Sequence, residues 1–277
     1  MMSMLNLFGS EQLRFMSLTS GSCGNCYYIG TPSEGILIDA GIGARTIRRR
    51  LKKAGVDFNS ILGVFLTHDH SDHIKGSGGL GEVMGKPIFS TAGVLDHINA
   101  NLTVQPKLST ASRREIRKGE VVNIGGFSVT AFNVIHDGHD NMGYKVQYDN
   151  DIMVVATDLG EITDEVSSYL MQAHHVVIES NYDEEMLANG PYPLALKNRI
   201  STGGGHLSNR KAADWMRTHW TRQMKDVFLC HLSAQNNSPE RAYESMKKAL
   251  EQAGAQPGDT VRLMVLPRGR ETELMDL

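Results

Sequence analysis

The stretch THDHSDH, Thr67–His73, places three histidines and two aspartates within seven residues, directly after the apolar run ILGVFL (61–66). Alternate histidines followed by an Asp-His pair, H-x-H-x-D-H, supply neutral imidazoles and carboxylates, the ligand types that hold divalent zinc, manganese or iron. Residues of the same kind recur where other apolar runs end: Asp39 after GILI, His136 after FNVI, Asp158 after DIMVVAT and His231 after DVFLC. Sheet-based proteins gather working side chains at strand ends, where loops begin. Five such runs are therefore expected to point at one place.

The 277-residue chain is 40% hydrophobic and 21% charged, with a formal net charge of -3. That is ordinary for a globular protein and long enough to bury a sizeable core. It excludes a broadly basic nucleic-acid binder, so a nucleic-acid partner must be met by a local positive groove or by metals. Aromatic residues make up 6% of the chain and form no evident base-stacking platform, although Tyr182 and Tyr192 fall near the expected substrate side. Cys23, Cys26 and Cys230 suit a reducing compartment, and one C-x-x-C without a second reads as two unpaired thiols. MMSMLNLFGSEQLRFMSL lacks a basic region followed by a sustained apolar run, and no window has the length of a membrane span. A cytoplasmic location is expected, with neither a membrane nor an obligatory protein partner.

Apolar, β-rich runs at 13–18, 26–29, 35–40 and 61–66 read as strands. Between the last two, ARTIRRRLKKAG (44–55) carries Ile47, Leu51 and Ala54 at helical spacing, with Gly55 as its stop. Its basic run, Arg48 to Lys53, reads as a solvated face. A Gly-rich helical segment to residue 85, a strand at KPIFS and a helix at 92–99 come next. A meander over 127–135, 142–148 and 151–157 follows, its last turn at Asp149-Asn150. Helices at 163–172, 183–190, 208–219 and 238–253 then alternate with the strands HHVVIES, DVFLC and VRLMVL. Ser208 and Ser238-Pro239-Glu240 are helix-start signals. With no internal repeat, low-complexity tract or linker, residues 1–277 read as one domain of two mixed sheets between helices.

This pattern resembles the metallo-β-lactamase-fold superfamily, whose signature stands here as His68, His70, Asp72 and His73. The resemblance implies an α/β (α+β) fold, a four-layer αββα sandwich with two divalent metals at the sheet edges. One metal would be held by His68, His70 and His136, the other by Asp72, His73 and His231. Asp158 would bridge them, and Asp39 would orient a ligand imidazole from behind. Zinc or manganese is implied, with iron as a third choice. VIHDGHD offers both His136 and His139; His136 directly follows its strand, and His139 is the reserve. Asp69 and Ser71 are expected to face away from both metals. Two cations ~3.5–4 Å apart can hold a shared hydroxide at neutral pH and stabilise charge on a phosphoryl or acyl group. No serine or cysteine nucleophile is then required.

SLTSGSCGNCYYI, GILIDAG, HDGHDNMGY, TDLGEIT, ESNYDEEML, GHLSN and HLSAQNNSPE together resemble the WalJ (YycJ)-like group of that superfamily. These are small relatives of ribonuclease J-type nucleases associated with DNA exonuclease activity. Cys23 departs from the serine expected in the SGSSGN-like loop. His206, in GGGHLSN, falls between Asp158 and His231, where the nuclease branch carries a histidine at the scissile phosphate or leaving oxygen. Its glycines would let backbone approach a substrate, and the helix after it would offer N–H groups to an anion.

Asp72, Asp158 and His206 carry the catalytic expectation. Ser208, Lys197 and Arg199 are candidate substrate contacts, and Arg210 flanks the same loop. His97, His219 and the pair His174-His175 read as structural or exposed. The implied activity is a two-metal phosphodiesterase, read as a 5′-to-3′ exonuclease on DNA or RNA. The alternative is a thioester or lactam hydrolase, of glyoxalase II or β-lactamase type, on the same fold. A diiron redox protein is disfavoured by the intact His70 and by the lack of room for a flavin domain. The Asp158–His206 spacing is too short for an inserted nucleic-acid clamp domain.

Overall fold

The computed structural model describes residues 11–277; the part of the N-terminal reading that rests on residues 1–10 lies outside the described residues. Strands β1 (Arg14–Thr19), β2 (Cys26–Gly30), β3 (Gly35–Ile38), β4 (Ile61–Phe65), β5 (Ile88–Ser90) and β6 (Arg113–Glu115) form one sheet. It is completed by β14 (Met275–Asp276), in the order β14-β1-β2-β3-β4-β5-β6. The second sheet holds β7 (Val121–Ile124), β8 (Phe127–Asn133), β9 (Met142–Tyr148), β10 (Asp151–Ala156), β11 (His175–Glu179), β12 (Asp226–Cys230) and β13 (Arg262–Val265), paired in sequence order.

Each sheet is mixed. Short turns make β1–β2–β3 and β7–β8–β9–β10 antiparallel, whereas β3–β4–β5–β6 and β10–β11–β12–β13 run parallel. Parallel neighbours need crossovers. Helix α1 (Ala44–Lys53) crosses from β3 to β4, with α2 (Ser71–Ile74) and α3 (Ala92–Ala100) serving the strands after it. In the second sheet α4 (Asp164–Leu170) precedes β11. Helices α5 (Glu184–Asn189), α6 (Leu194–Ser201) and α7 (Asn209–His219) precede β12, and α8 (Pro239–Gln252) precedes β13. Because the crossovers return each chain to the same starting edge, β3, β4, β10, β11 and β12 all end on one edge.

Period-2 burial builds the layers. Met153 and Val155 of β10 and Phe228 and Cys230 of β12 enter the core between the sheets, while Val154, Ala156, Val227 and Leu229 pack outward with α4, α7 and α8. Phe15 meets Phe228 at 4.7 Å between ring centres, and Phe65 meets Tyr144 edge-on at 5.7 Å. Ile47 and Leu51 of α1 and Val94, Leu95 and Ile98 of α3 cover the other face of the first sheet. The result is an αββα sandwich.

Several elements differ from the sequence expectation. The Gly-rich helical segment is α2 followed by a separate π-helical turn over Gly79–Val83. Helix α6 and the short strands β6, β7 and β14 were not expected; α6 buries no residue and β6 is Arg113-Arg114-Glu115, so neither has an apolar period to read. The basic face of α1 is solvated except at Arg50, which donates to the Leu18 and Gly269 carbonyls and pairs with Glu271.

Gly41 shows how tightly the strand-end loops are joined. Its N–H donates to the Asn25 carbonyl, and the neighbouring Ala40 N–H to His73. A β-carbon at Gly41 would lie 1.7 Å from the Asp72 carbonyl oxygen and 2.4 Å from the Asn25 nitrogen. Gly41→Ala is expected to push the Asp72–His73 segment away and destabilise the chain by about 1–3 kcal/mol, the usual effect of overpacking. Denaturant unfolding of the variant against the parent checks this, and an unchanged midpoint would contradict it.

Candidate metal centre

The strand ends deliver the expected residues in an uncommon backbone conformation. Asp39 after β3, Asp158 after β10 and His231 after β12 have φ of 62°, 51° and 54°. This left-handed region is sparsely used by residues with a β-carbon, though Asp and His enter it more readily than most. Each turns back at the strand terminus and stays buried.

Behind the centre, an oxygen fixes the Nδ1 side of each buried imidazole. His73 Nδ1 donates to Asp39 Oδ2 at 2.7 Å, while Asp39 Oδ1 accepts from the Thr67 N–H at 2.8 Å. His68 Nδ1 donates to Thr67 Oγ1 at 2.9 Å, and His136 Nδ1 to the Gly205 carbonyl at 2.8 Å. His231 Nδ1 donates to Glu179 Oε1 at 2.8 Å. The Nε2 atoms consequently face inward. His68, His70 and His136 offer ligand atoms within 4.8 Å of one another, and so do Asp72, His73 and His231. Asp158 touches both groups: Oδ2 lies 3.1 Å from His73 Nε2, and Oδ1 lies 3.7 Å from His136 Nε2.

This donor set fits divalent cations. His68, His136 and His231 each have a buried Nε2 with no hydrogen-bond partner, an arrangement that disfavours folding by ~1–3 kcal/mol per atom unless a further group meets it. Burial, with His73 beside it, holds His68 well below the ordinary imidazole range. Burial also opposes charge on His73, but Asp158, Asp39 and Asp72 outweigh it and raise the group well above that range. At His231 burial is likewise outweighed, by Asp158, Asp72 and Glu179, and the value is about 10. The carboxylates thus favour positive charge where the lone pairs converge.

His206 sits beside this centre. Its ring lies 4.9 Å from that of His136 and 5.2 Å from that of His231, and its Nδ1 donates to Glu179 Oε1 at 2.8 Å. Asp137, Tyr192, Arg199, Gly205, His206 and His231 line a cavity of about 190 Å³. Arg199 Nε donates to Asp137 Oδ2 at 2.6 Å at its rim.

Other candidates lie elsewhere. Ser208 is fully buried; its Oγ accepts from the Lys211 N–H, capping α7, and donates to Glu184. Lys197 lines a neighbouring cavity, and Arg210 pairs with Glu184 and Asp214. His139 stacks on His97 at 3.7 Å, and Asp69 accepts from both the His97 ring and the His139 N–H. Asp69 and His139 therefore belong to a contact outside the metal-ligand groups. His219 stacks on Trp215, and His175 is buried against Asp226. All three cysteines are free; Cys23 is exposed.

Glu179, fully buried at the end of β11, was not singled out from the sequence. Its Oε1 accepts from His206 and His231, and its Oε2 from the Leu159 and Leu207 N–H groups at 2.8 and 3.0 Å. Burial would raise it, but His206 and His231 pull it down to about 2. The signal was present: HVVIE ends in an acid at a strand terminus, as at Asp39.

The chain belongs to the beta-lactamase superfamily: the family described as "Beta-lactamase superfamily domain" matches residues 35–231. Its metallohydrolase fold binds divalent metal, and the protein is an enzyme of that class. Among curated proteins, the chain is 34% identical over 254 residues to "Exodeoxyribonuclease YycJ" of Bacillus anthracis, covering 91% of this chain and 94% of the relative. It is 30% identical over 240 residues to "Exodeoxyribonuclease WalJ" of Streptococcus pneumoniae, covering 87% and 89%. The metallo-beta-lactamase fold protein YhfI from Bacillus subtilis shares the fold, with a TM-score of 0.67 at 15% identity over 95% of this chain and 99% of that one. Among the described residues no helix is long and apolar enough to cross a membrane.

The carboxylates around His73 and His231 shift both rings toward the protonated form in the metal-free chain, whereas a ligating imidazole is neutral. Loading a divalent cation at pH 7 is therefore expected to release on the order of one to two protons per chain, and affinity should fall as pH falls. Calorimetric titration of metal-stripped protein in buffers of different ionisation enthalpy measures the release. Heats independent of the buffer would contradict it.

Proposed function

We propose that the chain is a two-metal phosphodiesterase acting on nucleic acid, with 5′-to-3′ exonuclease action on DNA as the leading form. In this reading His68, His70 and His136 hold one cation, Asp72, His73 and His231 the other, and Asp158 serves both. Zinc or manganese is the proposed metal. When bound, such a pair supplies Lewis-acid stabilisation of phosphoryl charge and an activated water at neutral pH. Residues 1–277 act as one domain without an inserted clamp; α4, β11, α5 and α6 occupy the interval between Asp158 and His206.

The observation that carries the phosphodiester reading is His206, which lies outside the two trios, offers a ligand atom within 4.8 Å of those of Asp158, Glu179 and His231, and lines the same cavity. Glu179 Oε1 fixes its Nδ1 at 2.8 Å, which leaves Nε2 toward the substrate side to hold a proton for the departing oxygen. Gly205, before it, brings backbone close: a β-carbon there would lie 2.1 Å from the Arg199 carbonyl oxygen. Arg199, already at the rim, is placed to pair with a phosphate once Asp137 yields it. The exodeoxyribonuclease names of two relatives that align along most of their length support the same class.

Asp158→Ala is expected to abolish cleavage of end-labelled DNA, and full activity in that variant would end the two-metal assignment. His206→Ala should lower kcat by about 10²–10⁴-fold, the usual contribution of general acid–base catalysis, while metal content measured by mass spectrometry is kept. Undiminished phosphodiester cleavage would return the site to the thioester or lactam alternative. Glu179→Gln should reduce activity or metal affinity by ~10–100-fold, as losing an orienting partner does. An unaltered pH–rate profile and metal content in that variant would remove Glu179 from the mechanism.

A further inference from the structure

Helix α6 separates two cavities. Arg199 and Ile200 line the metal cavity, whereas Lys197, Asn198 and Ser201 line a second one of about 560 Å³ between α5, α6 and the start of α7. That volume is within the ~300–1,000 Å³ typical of sites for small ligands. Arg210 and Lys211 of α7 complete its cationic side, and Leu187 and Leu194 form an apolar wall. Leu194 is 73% exposed, an apolar side chain held in solvent beside a ring of donors.

Its charge is one-sided. Glu184 is the carboxylate in the lining, and it already accepts from Arg210 Nε at 2.9 Å and Ser208 Oγ at 3.1 Å. Lys197 directs its ammonium to the uncharged Ala188 carbonyl, at 2.6 Å. Lys211 has Glu184 within electrostatic reach, but that carboxylate is already shared with Arg210 and Ser208, and the chain around this cationic lining has a net charge of -3. The segment that places His206 in the metal cavity continues through Leu207 and Ser208 into Arg210 and Lys211, so the two cavities are neighbours along one short stretch of backbone.

We infer that this second cavity is a subsite for single-stranded nucleic acid: Lys197 and Lys211 bind backbone phosphates of a strand whose reacting bond lies at the metal centre, and Leu187 and Leu194 receive its sugar or base. The inference rests on the phosphodiesterase reading. Lysines act here as point charges that hold the strand in place without reading its sequence. Holding a strand away from the metals supplies binding energy that a short diester cannot use.

Strand binding tests it independently of cleavage. A fluorescent single strand of about 20 nucleotides with phosphorothioate linkages is titrated into the metal-loaded protein at several salt concentrations. Neutralising each phosphate on a single strand contributes about 0.7 to the slope of log affinity against log salt. Lys197→Ala with Lys211→Ala should therefore flatten the slope by about 1.4 and weaken binding roughly tenfold at low salt, for any base sequence. With cleavable substrates, the ratio of dinucleotide to long-strand kcat/KM should rise by a similar factor. Lys211→Glu alone should exceed either alanine variant. A slope and affinity equal to the parent's would overturn the subsite while leaving the phosphodiesterase reading standing. Equal competition by a polyglutamate peptide would also overturn it, reassigning the cavity to acidic protein segments. If the parent cleaves no phosphodiester at all, the phosphodiesterase reading falls, and the salt slope still decides whether these lysines hold a strand.

Discussion

A buried imidazole can present one nitrogen to a cation only if its other nitrogen is held. The centre is organised around that requirement. Asp39, wholly buried, takes the Thr67 N–H and hydroxyl on one side and the His73 ring on the other, and Thr67 in turn receives His68. The Gly205 carbonyl, in the loop between α6 and α7, and Glu179, at the end of β11, do the same for His136 and His231. Imidazoles at the edges of both sheets thus converge because oxygens from strand ends and from the Gly205 loop stand behind them.

Such convergence conflicts with the chain's own preferences. Asp39, Asp158 and His231 hold positive φ, and three Nε2 atoms lie buried without a partner. Each of these disfavours the folded state when considered alone. The surrounding sandwich, with its core filled by Phe15, Phe228, Phe65 and Tyr144, holds them in place. Three of the four non-glycine residues with positive φ, and the three Nε2 atoms of His68, His136 and His231, lie at the one edge where a cation can offset them.

The side of the centre away from the strands is of different construction. Helix α6 has no buried residue and reaches the metal cavity through Arg199, which is bound to Asp137. Rigid strand ends fix the ligands, while a sparsely packed helix lies between the metal cavity and the lysine-lined one. Its C-terminal end is nevertheless tied to the centre: the Ile200 carbonyl accepts from the His206 N–H at 2.9 Å, beside the Gly205 carbonyl that holds His136.

Much of this was legible in the residues. H-x-H-x-D-H and the polar residues closing each apolar run named Asp39, His136, Asp158 and His231, because strand period and strand termini are local properties. Two mixed sheets between helices and the candidate residues at their strand ends were readable for that reason, the αββα class came with the family resemblance, and Ser208 was readable as a helix cap. Helix α6 and the strand Arg113–Glu115 were not, since neither carries an apolar period. Glu179 looked like any acid at a strand end; its role exists only because β11 lies between β10 and β12, which brings His206 and His231 to one carboxylate. Lys197 and Lys211 are 14 residues apart in sequence, and only the packing of α6 beside the start of α7 puts both at one cavity. By itself the sequence determined which residue types stand at which strand ends. The tertiary structure decided which of them share a proton, an ion pair or a cavity, because such sharing depends on distances of 3–4 Å that no spacing along the chain encodes.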